Sequence, residues 1–92
     1  MLFSSKGNVI ESDAGYSITR LGRAGLEYRE GSRVMTVDCE VLFKRGIELF
    51  ADSIVSWRPP YDVEQITEEK RKQILSNICN AFAFIDEPVI VT

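Results

Sequence analysis

Met35-Thr36-Val37-Asp38-Cys39-Glu40-Val41-Leu42-Phe43 is the stretch that decides the fold class of this 92-residue chain. Met35, Val37, Cys39, Val41 and Phe43 fall on one phase of a period-two repeat. Thr36, Asp38, Glu40 and, just beyond the run, Lys44 fall mostly on the other. Successive strand side chains point to opposite faces, so the pattern predicts a half-buried strand with one wet side, blurred only by Val34 and Leu42.

Strand signals continue in both directions. Upstream, Glu30-Gly31-Ser32 predicts a tight hairpin to a strand over Leu26-Glu27-Tyr28-Arg29-Glu30. Before it lie a Gly22-Arg23-Ala24-Gly25 break, a β-branched and aromatic run from Tyr16 to Leu21, a turn at Asp13-Ala14-Gly15 and a short strand from Asn8 to Ser12. Downstream, Lys44-Arg45-Gly46 turns the chain into Ile47-Glu48-Leu49-Phe50-Ala51. Ser53 to Trp57 reads as its continuation after a bend at Asp52.

Arg58-Pro59-Pro60-Tyr61-Asp62 ends the β pattern, because prolines cannot sit inside a central strand. Thr67 then offers an N-cap, with Glu68 and Glu69 at the positive end of the helix dipole. Ile74, Leu75, Ile78, Ala81, Phe82 and Ile85 recur at helical spacing, predicting a helix from about Glu68 to Ala83 that stops before Pro88. Val89-Ile90-Val91 reads as a final strand on the sheet edge. The expectation is one α+β domain over residues 1–92: a mostly antiparallel five- to six-stranded sheet, one C-terminal helix packed on one face, and a short final strand. A single helix leaves the other sheet face for solvent or a partner.

Composition narrows the function. With 11 Lys and Arg against 14 Asp and Glu and a net charge of −3, the chain lacks the concentrated basic face that nucleic-acid binding needs. No apolar run approaches the roughly 20 residues of a membrane span, and Met1 to Gly7 has no signal-peptide pattern. Two cysteines, Cys39 and Cys79, are too few to staple a secreted domain. A cytoplasmic location is therefore expected, with no nucleic-acid or membrane partner.

Histidine is absent, which removes the commonest general base and metal ligand. There is no Cys-x-x-Cys pair and no phosphate-binding loop, so no cofactor or metal is expected. Cys39 and Cys79 sit on or beside apolar phases and read as packing thiols. Carboxylates are the remaining acid–base candidates: Asp38, Glu40, Glu48 and Asp52 would share one sheet face if their strands pair. Paired carboxylates serve hydrolysis or metal binding only in a cleft, which a thin 92-residue fold has little room to build. A solvated polar face is the simpler reading, and the chain is expected not to be an enzyme.

Surface recognition remains. Tryptophan, arginine and tyrosine are enriched in interface hot spots, and two prolines stiffen the loop that carries Arg58, Tyr61 and Asp62. Trp57, beside an apolar strand, reads more simply as core. The cluster Glu27-Tyr28-Arg29-Glu30 reads as a solvated hairpin, and Glu68 to Lys72 as a solvated helix face.

Gly22-Arg23-Ala24-Gly25-Leu26-Glu27-Tyr28-Arg29-Glu30-Gly31 resembles a stretch of the immunity protein 74 family. Asp52-Ser53-Ile54-Val55-Ser56-Trp57 with Pro59-Pro60-Tyr61-Asp62 is similar to that family's second segment. Thr67-Glu68-Glu69-Lys70, opening a terminal helix before a short apolar strand, follows the order of its last third. The resemblance implies a bacterial polymorphic-toxin immunity protein that binds a cognate toxin, encoded by a neighbouring gene, and covers its active or substrate surface. If the toxin's site is basic, Asp38, Glu40, Glu48 or Asp62 would stand in for phosphates. Two alternatives stay open: a structural or assembly protein acting as a homodimer, and a carboxylate-based hydrolase.

Overall fold

The structure, a computed structural model, describes residues 2–43 and 45–92; Lys44, placed above on the polar phase and in a turn, and Met1 lie outside the described residues. Seven strands form one sheet in sequence order: β1 (Phe3–Lys6), β2 (Val9–Ser12), β3 (Tyr16–Arg20), β4 (Ala24–Glu30), β5 (Arg33–Val41), β6 (Ile47–Leu49) and β7 (Val89–Val91). The first six form an antiparallel meander joined by short turns. A parallel neighbour needs a crossover instead. The chain between β6 and β7 supplies one, carrying the helix α1 (Glu68–Phe84) before β7 pairs parallel to β6.

Two glycines sit where no other residue fits easily. Gly25, at φ +84°, lies where the β4–β5 register shifts between Ala24 and Leu26. Gly46, at φ +93°, meets the chain entering β7, and a Cβ there would lie 2.5 Å from the Pro88 carbonyl oxygen. Both backbones are left-handed, which L side chains adopt only at a cost.

The core lies between the sheet and α1, which packs across β2 and β3. Ile10, Ile18, Leu26, Met35, Val37, Ile47 and Leu49 supply it from the sheet; Ile74, Ile78, Ala81 and Phe82 supply it from the helix. A line of aromatic rings crosses the strands, buried from Tyr16 to Trp57 and emerging through partly buried Phe3 to half-exposed Phe84. Phe84 stacks on Phe3 at 5.4 Å, Phe3 meets Tyr16 edge-on at 6.2 Å, Tyr16 stacks on Tyr28 at 5.9 Å, and Tyr28 on Trp57 at 6.2 Å. Each such pair adds roughly 0.5–1.5 kcal/mol beyond the area it buries. Thr67 caps α1 as expected, its Oγ1 accepting from the Lys70 N–H at 3.1 Å.

Several expectations change. The N-terminal strand β1 escaped the sequence reading because Ser4, Ser5 and Lys6 show no apolar alternation; pairing with β2 holds it. The apolar phase of β5 stays buried only through Cys39: Val41 is 46% exposed and Phe43 fully exposed, because the helix does not reach that end of the hairpin. Ser53 to Trp57 is not a strand. A 3-10 turn at Ala51–Ser53 interrupts the ladder, and the chain then follows the β5 edge, where the Arg58 N–H donates to the Val34 carbonyl at 2.8 Å. Tyr28 belongs to no solvated hairpin, being completely buried at the centre of the aromatic line.

Candidate functional site

The sheet face away from α1 is polar because each strand's alternate residues are. Ser17 and Thr19 stand on β3, Glu27 and Arg29 on β4, Thr36, Asp38 and Glu40 on β5, and Glu48 on β6, opposite the buried residues of the same strands. The β5 and β6 strands do pair. Their register sets Glu40 directly against Glu48, while Asp38 lies two residues along β5 on the same face. Asp38 and Glu40 are exposed and Glu48 half-buried, and none of the three makes an ion pair among the described residues. Asp52 sits in the 3-10 turn, off the ladder. Asp38 and Glu40, two apart on one strand, stand roughly 7 Å from each other, whereas Glu40 and Glu48, opposite across the pair, have Cβ atoms about 5 Å apart. Among the described residues, no group of three or more acidic or cysteine side chains could hold a metal ion.

The prolines' loop is built differently. Trp57 turns into the core at 4% exposure, and the next residue, Arg58, turns onto the open face. Its guanidinium donates to Glu27 Oε2 at 3.1 Å and to Thr36 Oγ1 at 2.7 Å, and Arg29 lies 3.6 Å from the same Glu27 carboxylate. Tyr61 shares a hydrogen bond with Ser32 at 3.0 Å, while the Arg33 guanidinium lies over its ring at 4.4 Å. Arg33 also donates twice to Glu64, at 2.9 and 2.6 Å, and holds that carboxyl below its ordinary pKa. Arg58 and Tyr61 are thus engaged within the molecule. Asp62 is exposed and makes no ion pair among the described residues.

Sequence reasoning missed the polar cluster under the helix start. The buried Tyr28 hydroxyl donates to Glu30 Oε2 at 2.5 Å and accepts from Asn77 Nδ2 at 2.8 Å, while Lys70 Nζ donates to the other Glu30 oxygen at 2.7 Å. Burial, then the Glu30 bond, pushes the phenol's pKa far up, so Tyr28 stays neutral. Arg71 donates to the Ile54 carbonyl and to Glu68. Lys70 therefore fastens the helix to β4 and Arg71 fastens it to the chain at Ile54, while Glu68, Glu69 and Lys72 stay exposed as the solvated face expected of them. Nothing in the local pattern marks this, because the partners are far apart in sequence. The Cys39 and Cys79 thiols are raised by burial, which leaves them poor nucleophiles.

The depressions on the surface are open. One of about 540 Å³ lies on the polar face, lined by Leu21, Ala24, Thr36, Asp38, Glu40 and Phe50. No helix among the described residues is long and apolar enough to cross a membrane. The family described as Immunity protein 74 matches residues 18–91.

The chain belongs to the immunity protein 74 family. Membership makes it an immunity protein, a kind whose partner is a cognate toxin. The matched range begins within β3 and takes in β4 to β7 and α1, leaving out β1 and β2. No curated protein and no solved structure matches the chain. Within the family frame, the Gly22–Gly31 segment builds β4 and its bulge, and the Asp52–Asp62 segment builds the loop pinned to the β5 edge.

Proposed function

We propose that this immunity protein binds its cognate toxin's effector domain in the cytoplasm of the producing cell and covers that domain's active or substrate surface, doing no chemistry of its own. The family match over residues 18–91 carries the reading. A seven-stranded hydrogen-bonded sheet with a polar face suits it, since a rigid surface loses little entropy on docking. A standard interface takes about 800 Å² from each partner, a modest share of the 5700 Å² surface here. Blocking is then steric, with charge steering the encounter.

The test is co-expression with the toxin encoded by the neighbouring gene. Protected cells and a one-to-one complex on gel filtration are expected; toxicity unchanged by the immunity protein, with no complex, would refute the proposal.

A second reading rests on β7, the edge strand, whose Ile90 and Val91 are 53% and 44% exposed. Uncovered edges invite pairing with a second copy, giving a homodimer. Sedimentation at micromolar concentration decides it: a monomer removes this reading and leaves the first untouched.

A further inference from the structure

The open face has two halves that treat charge differently. On β4 and the adjoining loop, Glu27 takes up Arg29 and Arg58. On β5 and β6, Asp38, Glu40 and Glu48 make no ion pair among the described residues, and Glu40 stands directly opposite Glu48 in the antiparallel register. Like charges placed opposite each other destabilise a sheet. A repulsive pair with no cation partner among the described residues opposes the fold locally, and such conflicts gather at functional sites. Apolar surface adjoins the carboxylates: Leu21 and Phe50 line the depression that contains Asp38 and Glu40, and Ile90, in register with Glu48, is half exposed.

From this we infer that the β5–β6 half of the open face is the docking surface, and that its occupant is a basic protein surface of the toxin. Lysine or arginine heads from the partner answer Asp38, Glu40 and Glu48, while their aliphatic stems lie on Leu21, Phe50 and Ile90. The inference rests on the toxin-binding reading. It adds that docking relieves a repulsion built into the free protein, so the same substitution moves stability and binding in opposite directions.

Three variants test it against the toxin domain from the neighbouring gene: Glu48→Lys, the double variant Glu40→Lys with Asp38→Lys, and Glu69→Lys on the exposed start of α1 as a charge-matched control. Calorimetric titration should show at least about a 100-fold affinity loss for the first two and under about threefold for the control. Thermal melts of the free Glu48→Lys protein should rise by about 1–6 °C as the repulsion becomes an attraction. The wild-type association rate should fall steeply with added salt, and less steeply in Glu48→Lys. Unchanged affinity in both face variants, with binding lost instead in Asp62→Lys or Arg58→Ala, would overturn this surface and leave the toxin-binding reading standing. Affinity lost together with a lowered melting temperature would overturn it too, as a folding defect. No binding by the wild-type protein would refute the toxin-binding reading, and this inference with it.

Discussion

The two halves of the polar face, β4 with its attached loop and β5 with β6, carry similar numbers of charges and use them in opposite ways. In the first, Arg58, Arg29 and Glu27 satisfy one another, and Arg33, Tyr61 and Glu64 lock the loop beside them. In the second, Glu40 and Glu48 face one another and, among the described residues, no cation pairs with them. The first half therefore serves chiefly the fold, holding the segment that brings Trp57 into the core. The second, on the docking inference above, gains only when a partner arrives. Charge partnering separates the two halves where charge content does not.

The largest effect that would break this comparison lies beneath the pinned half. Trp57→Ala should cost about 3–5 kcal/mol in chemical denaturation, since it removes the last ring of the buried aromatic line. A small loss there would show that the loop is not anchored through the core.

Gly46→Ala should follow, at about 1–3 kcal/mol, because the new Cβ meets the Pro88 carbonyl in a left-handed backbone. The damage should concentrate at β6 and β7, measurable as faster amide exchange there. Tyr28→Phe should cost about 1–2 kcal/mol by leaving Asn77 short of a partner, and toxin binding should not change.

Alkaline pH sharpens the same point. The Tyr28, Cys39 and Cys79 pKa values are all raised by burial, so their contribution is complete below the unfolded values of about 8.5 for thiols and 10 for tyrosine. It is lost as pH climbs above those values toward the folded ones. The urea midpoint should fall between pH 8 and pH 11, and fall less in Tyr28→Phe.

The smallest effect belongs to Arg58→Ala. An exposed ion pair contributes little, so a loss of no more than about 1 kcal/mol is expected in the melt. A larger change would mean that Arg58 holds the loop more firmly than its half-exposed geometry implies.

Much of the architecture was legible in the chain. Alternation around Met35 to Cys39, the Glu30-Gly31-Ser32 turn, the Thr67 cap and the apolar repeat of α1 are local signals, and each element stands where its pattern put it. β1 and the end of β5 were not legible. A polar edge strand is held only by its neighbour, and burial of Val41 and Phe43 depends on how far the helix reaches. For the candidate site, pairing of β5 with β6 made Asp38, Glu40 and Glu48 a foreseeable group. The engagement of Arg58 and Tyr61 was not foreseeable, because Thr36, Glu27, Ser32 and Arg33 lie more than twenty residues away.

By itself, then, the sequence determined β2 to β6, α1 and β7, most of their wet and dry faces and the lack of an imidazole for acid–base chemistry, since these follow from residue type and short-range periodicity. Tertiary structure alone decided which charges meet. Partnering depends on strand register and on a loop folding back along β5, and neither is encoded by near neighbours in the chain.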